Sequence, residues 1–121
     1  MVVGPSGVPA DDPSHYQNLA ATLARENPDY FDVDQYDNMR NPEAYYLSLG
    51  PEIWEQTQGR VTHFVAGAST GGTISGTGRF LKEQNRLIQV CMPDPMGSVF
   101  WDYWQEGIPP SELQPRSYQV E

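Results

Sequence analysis

The chain has 121 residues, 16 acidic against 7 basic side chains, and a net charge of −9 at pH 7, which fits one small acidic domain. That charge argues against nucleic acid and anionic membrane surfaces as partners, because both select basic patches. No apolar run reaches the length of a membrane span, and one cysteine, Cys91, excludes an internal disulfide and a cysteine zinc site.

Eleven prolines are many for this length, so a modest core is expected. His15 and His63 lie far apart and show no ligand spacing. The first residues have neither the basic region nor the long apolar region of a secretory signal, and a cytoplasmic setting is expected.

In chain order, residues 1–12 are rich in glycine and proline and read as a loop or frayed terminus. Asp12-Pro13 signals a helix start that runs to about Glu26 and buries Leu19, Ala20, Leu23 and Ala24. Asn27-Pro28 stops it, and Tyr30 to Val33 is a short strand candidate. Asp34 to Asn41 is a polar loop. Asn41-Pro42 repeats the cap-plus-proline signature, ahead of a helical segment with Ala44, Tyr45, Leu49, Ile53 and Trp54 as its apolar positions.

Gly50-Pro51 is expected to kink or break that helix, and Gln58-Gly59 to end it. Strand candidates follow at Thr62–Ala66 and Leu87–Met92, with a helix between them that stops near Asn85. Pro93–Ser98 is a turn cluster, followed by an aromatic group (Phe100, Trp101, Tyr103, Trp104) and a proline-rich end. Strands alternating with helices point to an α/β sheet with crossover helices.

The most informative stretch is VTHFVAGASTGGTISGTGRFLKEQ, residues 61–84, which reads as strand, glycine-rich turn and helix. A turn of this kind aims several backbone N–H groups and the positive end of a helix dipole at one point, which suits a phosphate. Gly71 and Gly72 let a ligand approach the backbone closely, and Thr70 and Thr73 add hydroxyl donors. The plain alternative is a polar turn between two elements. The spacing is neither the Walker nor the dinucleotide pattern.

Taken together, DQYDNMRNPEAYY, LGPEIWEQTQG, HFVAGASTGGTISGTGRFLKEQN and DPMGS, in that order and at these intervals, resemble cystathionine β-synthase and the cysteine synthases. These are pyridoxal-phosphate enzymes of the tryptophan-synthase-β type. The match runs over about residues 13–98, with 99–121 as an aromatic and then proline-rich tail. Tyr118 to Glu121 resembles the segment before that family's next glycine motif.

The resemblance implies a single partial domain over 1–121. Its fold would be three-layer α/β/α with a mostly parallel sheet, lacking strands at both ends. Such a cut sheet is expected to leave edges and apolar surface unpaired. The resemblance also implies that Ser69, Thr70, Gly71, Gly72 and Thr73 hold the cofactor phosphate. Gln35 and Tyr36 would lie beside the substrate and cofactor ring. The complete enzyme would act on an amino-acid substrate, joining serine or an activated serine to a thiol, and would be a homo-oligomer.

Three departures stand out. The family usually has glycine where this chain has Ser69, and histidine before the tyrosine where this chain has Tyr45-Tyr46. The family's lysine that bonds the cofactor covalently lies far upstream of the phosphate turn, whereas this chain has one lysine, Lys82, beyond it. Lys82 reads as a solvated surface lysine beside Glu83, so no catalytic residue is assigned. The chain reads as a fragment of such an enzyme, inactive alone. The alternative is a non-catalytic remnant that binds phosphate or a partner.

Other side chains read as structural. His63 is a satisfied core or edge histidine and Cys91 a small buried hydrophobe. Asp32, Asp34 and Asp37 form a solvated acidic loop without calcium-loop spacing, and no metal is expected.

Overall fold

The computed structural model describes residues 2–5 and 7–107. The proline-rich end and the segment Tyr118 to Glu121 lie outside the described residues. The residues gather into two compact units, one ending at Met39 and one starting at Arg40.

The first unit holds α1 (Tyr16–Glu26). It begins three residues later than Asp12-Pro13 suggests. The Asp12 carboxylate accepts both the backbone N–H and the hydroxyl of Ser14, at 2.7 and 2.6 Å, and so closes a local turn instead of capping a helix. Those two donors hold the Asp12 carboxyl below its ordinary range. Within this unit α1 buries no residue fully; Leu19, Leu23 and Ala24 are half-buried and Ala20 is exposed. Among the described residues Tyr30 to Val33 finds no strand partner, and Phe31 is 84% exposed. Strand propensity there finds no ladder to join.

The second unit carries α2 (Arg40–Leu47), α3 (Leu49–Gln56), β1 (His63–Val65), α4 (Gly72–Gln84), β2 (Gln89–Cys91) and α5 (Phe100–Glu106). The two strands pair in parallel, His63 with Gln89 and Val65 with Cys91, so β1–α4–β2 is a crossover unit. The helix break expected at Gly50-Pro51 falls earlier, at Ser48. Pro51 instead sits in the first turn of α3, where its missing N–H removes no helical bond.

Helix α4 is the hub. Gly72 and Gly76, four residues apart, lie where α2 crosses: a Cβ on Gly76 would stand 2.0 Å from the Pro42 carbonyl oxygen. Phe80, one further turn along, covers Gly50 of α3. The opposite side of α4 meets the sheet, where Gly78 faces Val90. Leu81, Ile88 and Thr77 are the most buried side chains, a small core as the composition suggests.

Phe64 and Val90 point toward α4, while His63, Val65, Gln89 and Cys91 form the other, exposed face of the sheet. Two of the three expected layers are therefore visible among the described residues, in an α/β arrangement with a parallel sheet. Cys91 is exposed, not buried, because it falls on the uncovered face. His63 is exposed on the same face, and its Nδ1 lies 2.9 Å from the Thr62 hydroxyl.

A polar cluster also ties α2 to α4. Tyr46 donates its hydroxyl to Glu83 at 2.6 Å, Arg79 Nε donates to the other Glu83 oxygen at 3.0 Å, and the Arg79 guanidinium lies 4.9 Å over the Tyr46 ring. The Tyr46 hydroxyl, then Arg79, holds Glu83 below 4.5; the Glu83 carboxylate holds Tyr46 above 10.0. Glu83 therefore stabilises the fold above pH 4.5, and that contribution fades as pH falls through its lowered value. Tyr46 stabilises below pH 10.0, and its share fades as pH rises through its raised value. A small melting-temperature gap between the chain and Tyr46→Phe is expected to be flat between these limits and to shrink beyond both. A gap that does not change with pH would remove the cluster from the account.

Candidate functional site

The phosphate-type turn is built where β1 stops. Ala66 N–H makes the last sheet bond, to the Cys91 carbonyl at 3.2 Å, and the chain then leaves the sheet. It passes through residues 67–70 to Gly71, which has φ 79° and precedes the first residue of α4. The Gly71 carbonyl turns into the helix and accepts the Ser75 N–H at 3.0 Å and the Ser75 hydroxyl at 2.6 Å. Gly72, Thr73 and Ile74 then open the helix, and helix geometry gives their N–H groups no intrahelical acceptor. Nothing lies within 4 Å of the space a Cβ would take at Gly67 or Gly71, so the turn opens onto free volume.

Ser69, Thr70, Gly71, Gly72 and Thr73 follow one another through this turn, which is open at Gly71 and has the Asn41 side chain beside Gly72 and Thr70. Ser69, the position where the family usually has glycine, causes no backbone conflict. Among the described residues only Asp34 and Gln58 are non-glycines with positive φ, so the Ser69 Cβ sits in ordinary backbone and its side chain is exposed. The charge distribution agrees with an anion. The chain carries −9 overall, yet residues 56–82 contain no carboxylate. The donors there, with the α4 dipole, face no competing negative charge nearby in sequence.

The Asn41-Pro42 signature predicts a helix cap at Asn41. Asn41 lies instead inside α2, which begins at Arg40, and its side chain crosses to the turn. Its Nδ2 donates to the Thr70 hydroxyl at 2.9 Å across 29 residues of sequence. Its Oδ1 lies 2.0 Å from where a Gly72 Cβ would be. Nothing in the local pattern around Asn41-Pro42 signals this reach; only the close crossing of α2 and α4 produces it.

Lys82 keeps its amine at the surface. It is half-buried, and its Nζ donates to the Arg86 carbonyl at 3.2 Å. Glu83 does not pair with it, being held by Tyr46 and Arg79. Lys82 follows Gly72 by ten residues of helix, about 15 Å at 1.5 Å per residue. The residues present therefore fit the phosphate of a pyridoxal group. No lysine of the second unit reaches toward that phosphate.

Gln35 and Tyr36 belong to the first unit. They follow Asp34, which has φ 47°, and with Tyr16, Asn18, Asp32 and Asp34 they line a cleft of about 410 Å³. Tyr16 donates its hydroxyl to that of Tyr36 at 2.6 Å, which raises the Tyr16 pKa above 10.0. The Tyr36 hydroxyl accepts there, so its own proton is left for another partner. Asp32 accepts the Asp34 N–H at 3.0 Å. Among the described residues no group of three His, Cys, Asp or Glu is placed to hold a metal ion.

Comparison with known proteins adds an independent line. A family model described as pyridoxal-phosphate dependent enzyme matches residues 2–117. Cystathionine beta-synthase of Saccharomyces cerevisiae is 43% identical over 100 residues, covering 78% of this chain and 20% of its own length. Cysteine synthase B of Pseudomonas aeruginosa is 50% identical over 80 residues, covering 66% of this chain and 26% of its own length. Among solved structures, a hydrogen sulfide-producing enzyme from Fusobacterium nucleatum aligns with a TM-score of 0.63 at 31% identity, over 68% of this chain and 28% of its own. The chain spans between a fifth and about a quarter of the length of these two sequence relatives.

Proposed function

Because the chain belongs to the pyridoxal-phosphate-dependent enzymes, we propose that it is the phosphate-gripping part of a β-replacement enzyme of the cystathionine β-synthase or cysteine synthase type. The observation that carries this reading is the turn from β1 through Gly71 into α4, open at Gly67 and Gly71 and lined by N–H and hydroxyl donors. When bound, pyridoxal phosphate supplies an aldehyde for an amino acid's amine and a ring that draws electrons from its α-carbon.

This chain's own residues do the holding. The N–H groups of Gly72 and Thr73, with the Thr70 and Thr73 hydroxyls, bind the phosphate, and the α4 dipole favours its charge. Ser69 adds a hydroxyl at the rim. Gln35 and Tyr36 offer an amide and a hydroxyl to the substrate side of the complete enzyme. Its substrates would be serine or an activated serine and a thiol. The complete enzyme would be a cytoplasmic homo-oligomer.

Covalent catalysis of this kind needs an activated lysine at the cofactor aldehyde. Lys82 is the one lysine present, and it is engaged with Arg86 far along α4. The 121-residue chain alone is therefore inactive.

The test uses pyridoxamine 5'-phosphate, which has no aldehyde to react with Lys82, against pyridoxamine. The chain is expected to bind the phosphorylated probe at least about tenfold tighter, the worth of one good charge-assisted contact. It is expected to show no β-replacement with serine and sulfide. Equal affinity for both probes would overturn the phosphate grip, and turnover by the pure chain would overturn its inactivity.

A further inference from the structure

We infer that Asn41 is a positioning residue that aims the Thr70 hydroxyl proton at the bound phosphate. The inference rests on the phosphate reading above and adds to it the residue that orients one of its donors.

A threonine hydroxyl has one proton to give and two lone pairs to receive with. Asn41 Nδ2 occupies one of those lone pairs, at 2.9 Å. The Thr70 proton is thereby not needed for Asn41 and is free for an acceptor on the open side of the turn. If the amide were reversed, Thr70 would donate to the amide oxygen and have no proton left for a phosphate.

The surroundings decide which way the amide lies. Its oxygen sits against Gly72, the first residue of α4, 2.0 Å from where a Cβ would stand. That is the positive end of α4, which favours an oxygen over an NH2 group. The NH2 group is therefore turned away from the helix end and toward Thr70. Gly72 is what makes the arrangement possible, because any side chain there would fill the space of the Asn41 amide.

Asn41 and Thr70 are held by separate elements, α2 and the loop before α4. The close crossing of α2 and α4 at Gly76 fixes the distance between those elements. The hydroxyl direction is thus set by the fold before any ligand arrives, and no ordering has to follow binding.

The experiment measures binding of pyridoxamine 5'-phosphate and of pyridoxamine to the full chain and its variants. Asn41→Ala is expected to weaken the phosphorylated probe severalfold and to leave pyridoxamine unchanged. Asn41→Asp is expected to weaken it more, by at least about tenfold, because a carboxylate takes the Thr70 proton and adds negative charge beside the phosphate. Thr70→Val is expected to match Asn41→Ala, Thr70→Ser to bind like the parent, and the Asn41→Ala effect to vanish in the Thr70→Val background.

Parent-like binding by Asn41→Asp would overturn the inference, as would equal losses for both probes or fully additive effects of Asn41→Ala and Thr70→Val. A parent chain without preference for the phosphorylated probe overturns the phosphate reading itself, a different result. If the Asn41 variants lose their helical circular dichroism, Thr70→Val against Thr70→Ser decides: equal binding by those two overturns the inference.

Discussion

Gly76→Ala is expected to lower the stability of the chain by about 2 kcal/mol, although alanine is the better helix former by about 1 kcal/mol. The reason is the identity of the neighbour. A Cβ at position 76 would stand 2.0 Å from the Pro42 carbonyl oxygen and 3.0 Å from the Tyr45 Cβ. A backbone carbonyl inside α2 cannot rotate away, so the two helices must separate. An overlap of that depth belongs at the upper end of the cost of overpacking, about 3 kcal/mol.

The neighbouring glycines give internal comparisons. At Gly72 the atom met at 2.0 Å is the Asn41 Oδ1, the end of a side chain that can swing aside. Gly72→Ala should therefore cost less stability than Gly76→Ala while displacing the Asn41 amide. At Gly78 the new methyl meets Val90 at 3.2 Å, which asks for a shift of a few tenths of an ångström and leaves the stability near that of the parent. Urea unfolding followed by helical circular dichroism ranks the three. Gly76→Ala unfolding at or above the parent midpoint would mean that α2 and α4 are not in this close register.

The same crossing explains what the sequence could and could not disclose. The β1–turn–α4–β2 unit was legible because its signals are local: a short apolar run, a cluster of small residues, then apolar positions at helical spacing. Asn85 likewise marks the end of α4, where its side chain accepts the Leu87 N–H at 3.0 Å. The reach of Asn41 was not legible, since its partner lies 29 residues away and the local cap signature offers a sufficient explanation.

Tyr30 to Val33 has the composition of a strand, but pairing is a property of a neighbour, and its unit supplies none. Cys91 is exposed for a related reason, while His63 is the partnered edge histidine that its strand predicts. Alternation in a three-residue strand shows that one face is packed, not which one. The phase is set by Gly78 receiving Val90. Asp12 shows competition within a few residues: Ser14 offers its carboxylate two donors before a helix can use it.

Gly71→Val is expected to weaken binding of pyridoxamine 5'-phosphate by at least about tenfold. Gly71 has φ 79°, and its carbonyl must meet the N–H and hydroxyl of Ser75 to start α4. A β-branched residue in that backbone region costs on the order of 1–3 kcal/mol. The turn can relieve this only by rotating out of the left-handed region, which re-aims the unpaired N–H groups of Gly72 and Thr73 at the start of α4. About 1.4 kcal/mol of lost interaction is a factor of ten in affinity.

Space is not the obstacle, because nothing lies within 4 Å of the missing Cβ; the obstacle is the backbone angle. Gly67→Ala separates the two causes. Gly67 faces equally open space but lacks a positive φ, so its alanine variant should bind the probe like the parent. Were Gly71→Val to bind as tightly as Gly67→Ala, the curvature at Gly71 would not be what collects the donors. The grip would then have to come from the Thr70 and Thr73 hydroxyls alone.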